Sequence, residues 1–407
     1  MKLKFICIII VFSVLLSCSD KKNENIITPW GEVQTDSIYN SDEFTVSDII
    51  AGGELIMLTM SGPDTYYDYR GHGMGTQYLL CEKFAQKIGV SLRVELCRDT
   101  TDMLTKLENG DGDIIAFLLP KTKNKKITYC GAGIDSLNVQ WAVKKSNIEL
   151  ADSLNSWFKP SMYKEIKEET RLAFSSRGVK RHVYAPFLNR SEGIISHYDH
   201  FFKKHAAIAR WDWKLMAAQC YQESCFDPKA RSWAGACGLM QIMPATANHL
   251  NLALSDIYNP DKNINAAARY ISELSGYFRD IPNPSERQMF VLAAYNGGYF
   301  HIQDAMALAR KNGKNPKRWK DVAYYVLALE VPKYYNDPIV KNGYMRGSET
   351  VNYVDRIRRR YTQYRGVSYS GASVSVKSLN GAKAPSSSDF FNSITPRKAK
   401  KKHRFHI

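Results

Sequence analysis

After the first 16 residues the sequence has no apolar run long enough to cross a bilayer, which takes about 20 such residues. It is also short of acid: 40 Asp and Glu stand against 56 Lys and Arg, a formal net charge of +16. That imbalance favours acidic partners, whether nucleic acid, anionic lipid or an acidic polymer, and does not choose among them. No Cys and His stand in pairs at zinc-ligand spacing, and no metal or organic cofactor is expected. Glycine and proline, 25 and 15 of 407 residues, are too few for a collagen-like chain, and 44% hydrophobic residues are too many for a wholly disordered one. What remains is a globular chain of a length that suits two or three domains.

The start of the chain points to a compartment. Lys2 and Lys4 precede an apolar stretch that ends in Leu15-Leu16-Ser17-Cys18. A basic start, a short apolar core and a small residue before the cut make a secretory signal over 1–17. The last four residues resemble the bacterial lipobox, which implies that Cys18 is acylated. A polar tether over 18–45 then hangs the protein from a membrane. The expected location is the cell envelope, with lipid anchoring at the outer membrane facing the periplasm. In an oxidising compartment the later cysteines, Cys81, Cys97, Cys130, Cys220, Cys225 and Cys237, become candidates for disulfides. Cys81 and Cys220 read more simply as buried thiols on helices.

Strand and helix alternate over 46–163. Apolar strands are expected at 54–60, 91–97, 113–119 and 139–143, with helices at 76–88, 101–107 and 149–158. Such alternation argues for a mostly parallel α/β sheet covered on both faces. Residues 164–193 are charged and mixed, and read as a linker with some helix. From 194 to 365 the signals are helical. Asp212 is placed to cap one helix, Ser285 with Gln288 to form a capping box for another, and Ser348 to cap a third. The fold class is therefore α+β multidomain: a small α/β lobe followed by an all-α domain. The last segment, 366–407, is rich in Ser, Gly, Ala and Lys and ends in a basic run, the composition of a disordered tail. Behind a secretory signal such a tail meets acidic polymer or lipid, and no nucleic-acid partner is expected.

The chemically dense stretch runs from Ala218 to Ala247. Glu223 closes a helix otherwise filled by Leu215, Met216, Ala217 and Ala218. There the negative end of the helix dipole and desolvation both disfavour the carboxylate and raise its pKa. That suits a general acid near neutral pH. A solvated Glu at a helix end is the plain alternative on this local evidence.

Four motifs follow in order: Glu223-Ser224, Gly238-Leu239-Met240-Gln241, Ala294-Tyr295-Asn296-Gly297-Gly298, and Glu349-Thr350 with Tyr353. Together they resemble the soluble-lytic-transglycosylase domain, a relative of goose-type lysozyme. The resemblance implies a lysozyme-like all-α fold that cleaves the β-1,4 bond between N-acetylmuramic acid and N-acetylglucosamine in peptidoglycan. Glu223 is implied to protonate the glycosidic oxygen and then deprotonate the C6 hydroxyl, leaving a 1,6-anhydro end without use of water. Ser232 and Gln241 are implied to hydrogen-bond the sugar, Met243 to form part of the groove wall, and Tyr295 to donate near the developing charge. Asn296 is implied to hold its loop and Tyr353 to reach the groove, although helix-end capping and helix packing are their plainer roles. Asp227 before Pro228 reads as a turn. Cys225 and Cys237 depart from the family pattern, and a disulfide between them is expected to pin the loop after Glu223, worth about 3 kcal/mol by chain entropy.

The order of elements in the front lobe, with "LTKLENGDGDI" and "KITYC", resembles the first lobe of extracellular solute-binding proteins of amino-acid transporters. The second lobe is largely missing between Tyr129 and Val139. Lys125 stands nearest the place of the family's carboxylate-clamping Arg and lacks its planar fork. A docking or regulatory lobe is therefore expected rather than an amino-acid sensor. Two other readings of the whole chain stay open: a non-catalytic anchored wall-binding protein, and a muramidase hydrolysing the same bond. The expected partners are peptidoglycan glycan strands and, through the lipid, a membrane; protein partners are left open.

Overall fold

The structure, a computed structural model, describes residues 27–28, 31–32 and 45–366. The secretory signal, Cys18, nearly all of the tether and nearly all of the basic tail lie outside the described residues. The first of two compact units, Met1–Phe44, contains one antiparallel pair, Ile27–Thr28 with Gly31–Glu32. Everything below concerns the second.

That unit begins with helix α1 (Val46–Gly52), where Thr45 and Asp48 form a capping box. Strand β1 (Glu54–Thr59) follows, then a short hairpin of β2 (Tyr67–Tyr69) and β3 (His72–Met74). Next come α2 (Thr76–Ile88), β4 (Ser91–Leu96), α3 (Thr100–Asn109), β5 (Ile114–Pro120), β6 (Ile127–Ile134), β7 (Val139–Lys144), α4 (Ile148–Trp157) and α5 (Ser161–Ala173). Both α2 and α3 stop at glycines with positive φ, Gly89 and Gly110, as left-handed caps demand. The five-stranded sheet has the order β4-β1-β5-β7-β6. β1 pairs in parallel with β4 and β5, whereas β7 is antiparallel to both β5 and β6.

The sheet is thus mixed rather than mostly parallel. The chain leaves β6 through a single short turn, Asp135–Leu137, and so tight a connection can only reverse the strand direction. Apolar residues cover both faces, as the continuous run in β5 demands. Leu80, Phe84, Trp141, Leu150 and Leu154 pack on one side, and Leu58, Met103, Leu107 and Phe117 on the other. The segment read as a linker with some helix starts inside a docked helix. Helix α5 runs through Ala173, and Ile166 is fully buried in the first of these clusters. Its charged residues hide a helix that docks through Ile166 together with Met162 and Tyr163.

After β8 (Val179–Lys180) the chain becomes helical: α6 (Asp199–Ala209), α7 (Trp213–Ser224), a two-residue strand β9 (Arg231–Ser232), α8 (Pro244–His249), α9 (Pro260–Tyr277), α10 (Pro284–Gly297), α11 (Tyr299–Lys311), α12 (Trp319–Ala328), α13 (Pro332–Tyr335) and α14 (Gly347–Tyr364). β8 pairs with β9. Asp212 caps α7 as expected. Asn283, not Ser285, caps α10, because Pro284 takes the first helical position and needs no donor there. Ser348 lies inside α14 and caps nothing; its amide donates to Glu330.

Helix α7 is buried nearly all round: Leu215, Met216, Ala217, Ala218, Gln219, Cys220, Glu223 and Ser224 are all buried. Apolar residues on every face mark a helix at the centre of its domain. Helices α6 and α14 pack against it. Hairpin β2–β3 joins the same core, since Tyr67 and Met74 are buried within the helical cluster. Arg70 and Gly71 between its strands both have positive φ, 54° and 80°, the backbone that a two-residue hairpin turn requires.

Candidate active site

Glu223 sits in the last turn of the central helix and is 7% exposed. The helix ends in two successive left-handed residues, Cys225 and Phe226, with φ of 53° and 64°. This sharp reversal sends residues 226–241 back past the carboxylate. Burial pushes the Glu223 pKa up, against the Arg70 charge, the hydrogen bond from Tyr353 and the Arg181 charge, which favour ionisation; Glu349 adds to the rise. The net direction is upward, the one expected for a proton donor.

One hydrogen bond fixes the carboxyl. The Tyr353 hydroxyl on α14 donates to Glu223 Oε1 at 2.5 Å, and Gln219 Nε2 donates to the same hydroxyl at 3.2 Å. Arg181 Nη1 donates to the Glu223 carbonyl at 2.8 Å, filling an acceptor that the helix end leaves open. Two cavities meet here, one of about 610 Å³ and one of about 290 Å³. Glu223, Tyr69, Arg70, Gln241, Asn296, Arg346 and Glu349 line both. The larger lies within the range usual for small-molecule sites.

The residues singled out by sequence converge on this place, but in different ways. Ser232 lines the smaller cavity, and its Oγ accepts from the Ala236 amide at 2.9 Å. Gln241 lines both cavities, while its Nε2 donates to the Ala230 and Gly238 carbonyls. Met243 lines the larger one, as the residue before α8. Tyr295 also lines it, but its hydroxyl donates to the Met240 carbonyl at 2.8 Å rather than into the groove. Asn296 Oδ1 accepts from Thr350 Oγ1 at 2.8 Å, which ties α10 to α14. Tyr353 does more than pack: it is the hydrogen-bond partner of the carboxyl. Asp227 shapes a turn, accepting from the His182 and Lys229 amides.

The expected bridge between Cys225 and Cys237 is not formed; both are free, buried thiols. Cys237 Sγ instead lies 3.2 Å from both the Gly235 carbonyl and the Tyr258 hydroxyl. The loop it belongs to is held by bonds to Asn263, which donates to the Cys237 and Ile257 carbonyls and accepts from the Met240 amide. Pinning is achieved by a buried amide rather than by a covalent link.

Several site residues escape a reading of the sequence, Arg181 and Arg346 among them. Tyr69 and Arg70 come from the hairpin of the α/β lobe. The Tyr69 hydroxyl donates to Glu349 Oε1 at 2.8 Å, and the Arg70 guanidinium lies 3.8 Å from the same carboxylate. Glu349 belongs to the fourth motif but gained no role there. An Arg-Gly turn flanked by tyrosines and histidine was the available signal, and it reads as an ordinary hairpin. Among the described residues no cluster of His, Cys, Asp or Glu is arranged to hold a metal ion, and no helix is long and apolar enough to cross a membrane.

Residues 200–317 match the family model of the transglycosylase SLT domain. They include Glu223, Ser232, Gln241, Met243, Tyr295 and Asn296, but not Tyr353 or Arg70. The chain is 27% identical to a membrane-bound lytic murein transglycosylase F of Desulfosudis oleivorans, over 76% of this chain and 89% of that protein. A protein of the same name from Yersinia pestis is also 27% identical, over 79% of this chain and 86% of its own length. One from Aeromonas hydrophila is 36% identical over 175 residues, 43% of this chain and 34% of the relative.

Proposed function

We propose that this chain, which carries a transglycosylase SLT domain, is a peptidoglycan lytic transglycosylase that cuts the β-1,4 bond between N-acetylmuramic acid and N-acetylglucosamine. One observation carries the assignment of the acid. Glu223 is the buried carboxyl at the junction of both cavities, with one oxygen held by Tyr353. Oε1 accepts that bond, and the proton transfers are assigned to Oε2. It gives its proton to the leaving glycosidic oxygen as the bond to C1 breaks. The ionised carboxylate then takes the proton of the C6 hydroxyl as O6 bonds to C1. A 1,6-anhydromuramyl end forms, Glu223 is again protonated, and no water enters.

Ser232, Gln241, Met243 and Asn296 shape the groove around the sugar, for use in cell-wall remodelling or turnover. The test is mass analysis of muropeptides released from purified sacculi. Anhydro ends from the wild type and none from Glu223→Gln support the proposal; reducing ends from the wild type would mean hydrolysis and sink it.

Membrane attachment through an acylated Cys18 is part of the same reading, supported by the lipobox-like Leu15-Leu16-Ser17-Cys18 and by relatives whose names include "membrane-bound". An outer-membrane position facing the periplasm would put the groove beside the wall. Cys18→Ser should move the protein from the membrane fraction to the soluble one. Retention in the membrane fraction would reject acylation as the anchor.

A further inference from the structure

Hairpin β2–β3 belongs by chain position to the α/β lobe, yet it is built into the helical domain. Tyr67 and Met74 are buried in the helical core. The Tyr69 ring stacks on Trp233, with centroids 5.5 Å apart and planes 8° from parallel. His72 Nε2 lies 2.8 Å from the Ala234 carbonyl, and the Tyr69 hydroxyl donates to Glu349. Both strands are therefore held, and the turn between them has a fixed position. Arg70 at that turn lines both cavities beside Glu223.

We propose that Arg70 is a positioning residue of the reaction, which from the tip of the hairpin stabilises the carboxylate form of Glu223 that exists between the two proton transfers. The proposal rests on the assignment of Glu223 made above. An ionised carboxylate in a nearly dry site is costly unless a cation stands by. Among the described residues, other charged or titratable groups stand near Glu223 besides Tyr69, which shares the hairpin with Arg70. Tyr353, Glu349 and Arg356 come from α14, and Arg346 directly precedes it. Arg181 comes from the segment after β8, Tyr295 from α10 and Cys220 from α7. Arg181 is committed to the Glu223 carbonyl. Arg346 lies 3.8 Å over the Phe174 ring and 3.3 Å from Glu349, and Arg356 lines only the smaller cavity; Arg70, itself 3.8 Å from Glu349, lines both. Glu349 carries the wrong sign. Arg70 is the cation that most opposes the effect of burial on Glu223. The helical domain by itself would lack this charge, so the front lobe completes the site rather than merely accompanying it.

The test uses the full chain with Arg70→Gln and Arg70→Lys, and follows the initial rate on purified sacculi against pH. The acid must be protonated, so the rate falls as pH rises through the Glu223 pKa. Losing the cation raises that pKa. Arg70→Gln should therefore move the alkaline limb up by about one pH unit and lower the maximal rate about tenfold. Arg70→Lys keeps the charge and should leave the limb in place. Thermal melts check folding, and Arg70→Met, which keeps the apolar stem, replaces the Gln variant if that one unfolds. An Arg70→Gln profile parallel to the wild type overturns the proposal, whatever the loss of rate. A gain in rate overturns it too, since the hairpin would then be a plug. If Glu223→Gln stays active, the assignment of Glu223 fails and takes this proposal with it. If Glu223→Gln is dead while the neutral Arg70 variants keep the limb, this proposal alone fails.

Discussion

The two walls of the groove use their polar groups in opposite ways. On the helical wall, formed by α7 and α14, side chain meets side chain: Tyr353 donates to Glu223, and Gln219 donates to Tyr353. On the loop wall, polar groups bond the loop backbone, from the loop itself or, for Tyr295, from α10. Gln241 serves the Ala230 and Gly238 carbonyls, Tyr295 serves Met240, and Ser232 serves Ala236. The first wall sets a protonation state; the second holds a shape. On the proposed function, rigid helices carry the chemistry, where small displacements matter most, and the loop that would admit a sugar is braced by hydrogen bonds to its backbone.

If that division is right, the helical wall should dominate the rate. Glu223→Gln keeps the shape and removes the proton, and should cost about 10³-fold or more in turnover. The same variant should leave the fold intact, which a melt would confirm. Tyr353→Phe should cost about 10- to 100-fold, the worth of one hydrogen bond to a charged group. It should also move the alkaline limb of the rate profile up. The hydroxyl favours the ionised carboxyl, so its loss raises the Glu223 pKa and the acid stays protonated to higher pH. An unshifted limb would mean that Tyr353 only packs, and the contrast between the walls would weaken.

Much of the front lobe was legible because its signals are local. Alternation marks 91–96, and helix α2 covers the expected 76–88 because Gly89 can take the left-handed cap. Strand β6 was not legible. Gly131 and Gly133 break its pattern, and the register shifts between Cys130 and Gly133. With that strand unseen, the antiparallel half of the sheet could not be foreseen. In the site, Glu223 stood out by motif and helix end. Its partner Tyr353 is 130 residues away, and only the fold decides that its hydroxyl points at the carboxyl rather than into the core. Arg70 carries only the mark of an ordinary hairpin turn. A turn residue gains its meaning from the loop around Trp233 and Ala234, which sequence cannot place beside it.

The smallest effect is the sharpest test of the loop wall. The family resemblance gives Tyr295 a part near the developing charge, whereas here its hydroxyl donates to the Met240 carbonyl on the loop. Tyr295→Phe leaves that buried carbonyl one donor short and should cost about 1 kcal/mol of stability, read as a lower melting temperature. Turnover should change by no more than about threefold, because a bond between Tyr295 and the loop backbone is the same before and during the reaction. A loss as large as that of Tyr353→Phe, with the melting temperature unchanged, would show that the hydroxyl swings to the substrate in the transition state. The loop wall would then share in the chemistry, and the division between the two walls would fail at the residue where it is most exposed.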